Sequence, residues 1–241
     1  MTSNKMFLKN LLRDYYSLQI SKLENLGFTN VLLRKNPYLL NAAGIVDAKE
    51  LIDSLIDSYL QASSETMFGK DIFQPFARHV AKGEDSAIEG VDFHFKKGST
   101  MYYVAVKSGP NIFSAASRSK QYDYFRKALK IHGTNSGKKT KIIPVVGYCY
   151  GTRSSQMLIT GYNYDEYAGQ AFWEFLSGKK NLYLQIASII TDARLSLQGD
   201  FREELASLKS RWFKEIKALD LIEDGKVDWI ALTAMISDAS A

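Results

Sequence analysis

The chain is 241 residues long, with 46% hydrophobic and 24% charged residues and a formal net charge of +5, an ordinary globular balance that excludes a disordered chain. Its 4 Pro and 16 Gly are spread along it and no fixed period recurs, which excludes a coiled coil and a collagen-like repeat, and its longest apolar run, 142–150, is too short to cross a bilayer as a helix. With one cysteine, Cys149, and three histidines at 79, 94 and 132, the chain offers no disulfide, no thiolate metal cluster and no histidine pair at i, i+4.

In chain order, 7–26 reads as an amphipathic helix closed by Gly27, and Asn36-Pro37 as a loop. Residues 1–9 are polar and lack the pattern of an export signal, so a cytoplasmic protein is expected. From Asp47 onward, Leu51, Ile52, Leu55, Ile56, Tyr59 and Leu60 recur at helical spacing, and Asp47 and Glu50 suit the positive start of that helix. Met67, Phe68, Ile72, Phe73, Phe76 and Val80 predict a second helix, capped by Ser63 or Ser64, kinked or restarted at Pro75 and stopped by Gly83. The period then falls to two. Residues 91–95 and 101–107 read as strands joined through Lys96-Lys97-Gly98-Ser99-Thr100, a hairpin signal. A helix over 117–131, a Gly/Asn/Lys loop over 133–140 and a strand over 142–150 follow, and strand, helix, strand suggests a crossover. From Gly169 the pattern is helical again, with no Pro/Ser-rich linker. These elements predict one α/β domain over 1–241 with helical N- and C-terminal portions, the latter spanning about 165–241.

The charge is segregated. Residues 107–153 hold ten Lys or Arg against one acid, Asp123, a local charge of +9 that leaves −4 for the rest of the chain. Such a concentration suits a polyanion, although a solvated basic face has the same composition. Asp92 is the odd residue in an apolar strand, and Lys107 ends the partner strand. A turn centred on Gly98 and Ser99 sets Asp92 opposite Ala105 and diagonal to Lys107, while a one-residue slip would reverse the face. An acid and a lysine so placed suit a divalent ion and a reacting phosphate, or else form a plain cross-strand ion pair.

GVDFHF at 90–95 followed by YYVAVKSGPN at 102–111 resembles the core of the PD-(D/E)xK nuclease superfamily, and most of all the PmeII-like branch of type II restriction endonucleases. SSETMFG at 63–69, VVGYCYG at 145–151, GQAFWEFLSG at 169–178 and DGKVDW at 224–229 extend the likeness in order along the chain. The resemblance implies a restriction-endonuclease-like mixed β-sheet flanked by helices, with a nuclease core over about 45–153. It further implies Mg²⁺-dependent, sequence-specific hydrolysis of double-stranded DNA by a homodimer, with a possible cognate DNA methyltransferase acting on the same site.

Residue by residue, the resemblance makes Asp92 a metal ligand and Lys107 the catalytic lysine. The usual acid two residues before the lysine is replaced by Ala105, whose methyl group cannot bind Mg²⁺. Glu65 is the first candidate to supply that carboxylate from a neighbouring helix, with Glu84 and Glu89 as runners-up and the Val106 carbonyl as a further metal contact. For the DNA backbone the candidates are Ser108 in the Ser-Gly-Pro-Asn turn, Arg118, Lys120, Lys127 and Lys130 on the following helix, and Lys138 and Lys139 in the loop. Gln121 or Asn111 would suit an adenine edge. Two rival readings remain. Ala105 also suits a nuclease-fold DNA-binding module that has lost its chemistry, and a nuclease for repair or RNA processing would share the same core.

Overall fold

The computed structural model describes residues 3–109, 115–135, 141–152, 154–159 and 162–237, with side chains described for all of these except 62–65, 115, 132–135, 154–159, 162–163, 197–198 and 200. In chain order the elements are α1 (Ser3–Leu26), α2 (Phe28–Leu32), α3 (Pro37–Ala42) and α4 (Ala48–Phe68), then a π-turn (Gly69–Phe73), α5 (Gln74–Ala81), β1 (Glu84–Asp85), β2 (Phe93–Lys97) and β3 (Thr100–Lys107). They continue as α6 (Ala115–Asn135), β4 (Lys141–Tyr148), β5 (Ser154–Ile159), β6 (Tyr162–Ala168), α7 (Gln170–Ser177), α8 (Leu182–Ala218), β7 (Ile222–Glu223), β8 (Lys226–Val227) and α9 (Trp229–Ser237). No helix among the described residues is long and apolar enough to cross a membrane.

The chain packs as two compact units, one of residues 1–12 and 65–193 and the other of 13–64 and 194–241. The first unit holds a mixed six-stranded sheet in the order β1-β2-β3-β4-β6-β5. The β2–β3 hairpin turns on Gly98 (φ +61°) and pairs Phe93 with Val104 and Lys97 with Thr100, the register expected from its turn. β3 and β4 are parallel, as the crossover through α6 implies. The two sheet faces bury different helices. Tyr103, Ala105, Val146, Tyr148, Tyr164 and Ala168 pack with Phe125 and Ala128 of α6. On the other face Phe95 and Tyr102 meet Phe175 of α7 at 5.6 and 5.1 Å between ring centres. Phe76 of α5 lies 5.7 Å from Trp173, whose indole N–H donates to the Cys149 carbonyl at 2.9 Å. A side chain at Gly147 would collide with the Phe172 ring, so glycine there lets α7 seat on β4.

The second unit is a helical cluster around Phe28, Leu51, Leu55, Leu208, Trp212 and Ile216, all essentially inaccessible. Asp47 caps α4 by accepting the Glu50 N–H at 2.8 Å, while the Glu50 carboxylate accepts the Val46 N–H at 2.8 Å, a reciprocal pair that explains the acids at this helix start. Asn36-Pro37, expected as a loop, starts α3: Asn36 accepts the Leu39 N–H and Pro37 occupies the first turn. The β7–β8 hairpin closes through Asp224 and Gly225, both at positive φ.

Three further expectations are corrected. Ser63 and Ser64, expected at a helix start, lie inside the continuous α4, and the interruption comes at the π-turn, after which Pro75 opens α5. The C-terminal portion is not wholly helical from 165, because β6 runs to Ala168 within the sheet. The sheet also holds β5 and β6, which the pattern reading passes over.

Candidate active site

Asp92 stands immediately before β2, held by its own backbone. Its N–H donates to the Val104 carbonyl at 2.9 Å, and continuing the Phe93–Val104 register sets it opposite Ala105. Its carboxylate Oδ2 accepts the Val106 N–H at 2.6 Å, which fixes the side chain against the edge of β3. Burial raises the Asp92 carboxyl above its ordinary range, with the Val106 N–H and the Lys107 charge pulling the other way. Lys107 ends β3, and its carbonyl accepts the Cys149 N–H at 2.9 Å. Burial lowers its ammonium, opposed by the charge of Asp92. The two groups are thus a desolvated acid and a desolvated base that sustain each other's charge. The same burial, with Asp92 adding to it, pushes the Cys149 thiol well up, so the lone cysteine is a packed thiol and not a nucleophile.

Asp92 also lines a cavity of about 380 Å³, together with Lys70, Asp71, Gln74, Arg78 and Asp85. Asp71 comes from the π-turn and was not singled out from the sequence; a carboxylate six residues past Glu65 in the same helical run was the available signal. Such one-turn widenings often mark functional positions, because they re-aim side chains relative to a regular helix. Asp85 is ion-paired with Arg78. The π-turn and the turn after β3 pack closely: a Cβ at Gly69 would collide with the Ser108 hydroxyl, and one at Gly109 with the Tyr150 ring.

Of the expected second acids, Glu65 lies in the last third of α4, and its side chain falls outside the described residues. Glu84 sits exposed on β1, 3.6 Å from His94. Glu89 accepts the Tyr124 hydroxyl at 2.7 Å on the α6 side. Neither runner-up lines the cavity that holds Asp92. Among the described residues no three of His, Cys, Asp and Glu group to hold a metal. The donor set that is present, carboxylate oxygens of Asp92 and Asp71 on one cavity, still fits Mg²⁺, which takes one or two carboxylates and keeps several waters.

A buried acid does occur on the sheet face that Ala105 shares. Ala105 pairs with Val146, which pairs with Glu166, so the three stand in one row across β3, β4 and β6. At roughly 4.8 Å per strand Glu166 is roughly 10 Å from Ala105. Its inaccessible carboxylate is taken by Arg118 at 2.8 Å and by the Tyr148 hydroxyl at 3.2 Å. Burial and then the Glu166 charge push Tyr148 up to about 12. This cluster locks α6 to the sheet.

The DNA candidates separate accordingly. Arg118, expected on a phosphate, is engaged by Glu166. Gln121, expected at a base edge, is instead buried, and its amide donates to the Gly90 carbonyl at 2.7 Å, tying α6 to the segment that delivers Asp92. Gly90 itself is at φ +76°, and a Cβ there would strike the Tyr124 ring. Lys120, Lys127 and Lys130 are exposed on α6, with Lys120 and Lys127 flanking the Tyr124 ring at 5.6 and 5.7 Å. Ser108 is half-buried beside the π-turn, and Val106 is buried with its N–H on Asp92. Asn111, Lys138 and Lys139 lie outside the described residues.

Comparison with known proteins returns no match among curated proteins. A family model described as Type II restriction endonuclease EcoO109I matches residues 2–195.

Proposed function

Because this chain belongs to the type II restriction endonuclease family represented by EcoO109I, we propose that it hydrolyses phosphodiester bonds of double-stranded DNA at a specific sequence, in a Mg²⁺-dependent reaction. The ordered sequence blocks support a place in the PmeII-like branch. The observation that carries the catalytic reading is the desolvated Asp92–Lys107 pair, with Asp92 pinned by Val106 at the wall of a polar cavity. Asp92 would hold the metal, helped by a second carboxylate from the α4 and π-turn side, Glu65 or Asp71, and by the Val106 carbonyl. Bound Mg²⁺ supplies positive charge to the scissile phosphate and lowers the pKa of its water. Lys107, its pKa lowered by burial, is suited to orient the attacking water, take part in moving its proton and steady the charge that builds on the phosphorane oxygens. The exposed lysines of α6 would follow the DNA backbone. A homodimer is the simplest way to cut both strands of a twofold site, and a methyltransferase of the same specificity and a cytoplasmic location fit such an enzyme.

Asp92→Ala and Lys107→Ala are each expected to abolish cleavage of a plasmid in Mg²⁺ while the protein still melts cooperatively. Wild-type rates in either folded variant would remove the chemistry from this hairpin. Glu65→Gln and Asp71→Asn, compared for cleavage and for Mn²⁺ affinity by calorimetry, identify the second carboxylate: the ligand's variant loses both. The rival reading, a DNA-binding module without chemistry, draws on Ala105 standing where an acid is usual. It would be upheld by DNA binding without any cleavage in Mg²⁺ or Mn²⁺.

A further inference from the structure

A second cavity, of about 730 Å³, adjoins the catalytic one through Arg78, which lines both. Its walls include Phe7, Arg78, His79, Lys82, Ser177 and Lys179, and no carboxylate is among the described residues that line it. Three cationic side chains therefore converge from two places: Arg78 and Lys82 from α5 and its end, and Lys179 from the loop after α7. Arg78 is balanced by Asp85, whereas no acid among the described residues lines this cavity beside Lys82 or Lys179. The floor is less polar: the His79 ring stacks on Phe7 at 4.0 Å, and burial lowers the His79 pKa, so the imidazole adds no charge near neutrality. Like charges gathered around a concave, acid-free wall focus a positive potential that an anion relieves.

We propose that this cavity is a phosphate subsite for the DNA strand, in which Lys82 and Lys179 hold a backbone phosphate flanking the one at Asp92 and Lys107. The inference rests on the nuclease reading above and extends it, since the DNA strand must continue beyond the cavity where it is cut. It was hidden in the sequence, because Arg78, Lys82 and Lys179 all lie outside the +9 segment of 107–153. It gives the strand two cationic supports, the exposed lysines of α6 and this cavity.

The test is a double variant, Lys82→Asn with Lys179→Gln. Asn is chosen because Lys82 caps α5 at φ +52°, a conformation that asparagine accepts more readily than most residues. Binding to a short labelled DNA duplex is measured in Ca²⁺, which blocks turnover, over a range of salt concentrations. A control double variant, Lys49→Gln with Lys214→Gln, removes the same charge from exposed positions of the helical unit. Losing this phosphate contact should lower the slope of log affinity against log salt by about 0.9, with the control at the wild-type slope. An unchanged slope in the Lys82/Lys179 variant, or an equal fall in the control, overturns the subsite. A wild-type chain that neither binds nor cuts DNA would instead overturn the nuclease reading itself.

Discussion

Arg118 was expected on DNA and is found on Glu166, and the two placements make opposite demands on stability. Replacing Arg118 with methionine keeps the aliphatic stem and removes the cation. Glu166 is then left with a wholly inaccessible carboxylate that has lost its cationic partner and keeps the tyrosine hydroxyls of Tyr148 at 3.2 Å and Tyr164 at 3.5 Å. Breaking a buried ion pair on one side costs about 3–5 kcal/mol. The lower end applies here, because the Arg118 side chain is 22% exposed and water can enter the space it leaves. A loss of about 3 kcal/mol in a chain of this size lowers the melting temperature by about 6–12 °C. Differential scanning calorimetry of wild type, Arg118→Met, Lys127→Met and Arg118→Met with Glu166→Gln provides the comparison. Lys127→Met, on the exposed side of the same helix, should leave the melt unchanged, and the double variant should recover most of the loss because no buried charge remains. DNA affinity of the folded Arg118→Met protein should keep its salt slope, whereas loss of a true phosphate contact would reduce it by about 0.9. A melt within about 1 kcal/mol of wild type together with a reduced slope would return Arg118 to the DNA and refute the argument.

Two further outcomes follow from the segment before Asp92. Gln121→Leu leaves the Gly90 carbonyl without its 2.7 Å donor, and Gly90→Ala places a methyl group in the Tyr124 ring at an unfavourable φ. The first should cost about 1–3 kcal/mol, and both should lower kcat more than DNA affinity, because Asp92, the proposed metal ligand, is displaced and the lysines are not; wild-type kcat in either would separate this tether from catalysis. The last outcome concerns pH. A carboxyl whose folded pKa is raised, as burial raises Asp92, holds its proton more tightly folded than unfolded, so stability falls as pH rises through the ordinary aspartate value of about 3.9 toward the folded value. In metal-free buffer the stability of Asp92→Asn relative to wild type should therefore increase from pH 4 to 7, by chemical denaturation at each pH. A difference independent of pH would contradict the desolvated carboxyl.

The hairpin was legible because its register is set locally. A two-residue turn at Gly98 fixes every pairing down to Asp92, and an acid in an apolar strand is conspicuous. The Arg118–Glu166 pair was not, because its members are 48 residues apart and are joined only when β6 enters the sheet. β6 itself was obscured by the same glutamate: in Tyr164, Glu166 and Ala168 the buried face carries a charge where alternation calls for an apolar residue. The cap reading at Ser63 and Ser64 failed for a different reason. Serine before a helical run signals a start only if the preceding turn ends, and here the hydrophobic face of α4 continues through it. Asp71 owes its position to a π-turn, which no periodicity argument can anticipate.

Cys149 can serve as a built-in reporter. The chain has a single thiol, it is buried, and its backbone N–H is bonded to the Lys107 carbonyl. A thiol-reactive dye therefore labels the native protein only when the strand ends around Lys107 separate, and no second cysteine contributes background. The labelling rate measures how often this edge of the sheet opens, without introducing a probe. Its slowing by DNA and Ca²⁺ would give the ligand-linked stabilisation of that edge directly, residue by residue as variants around it are made.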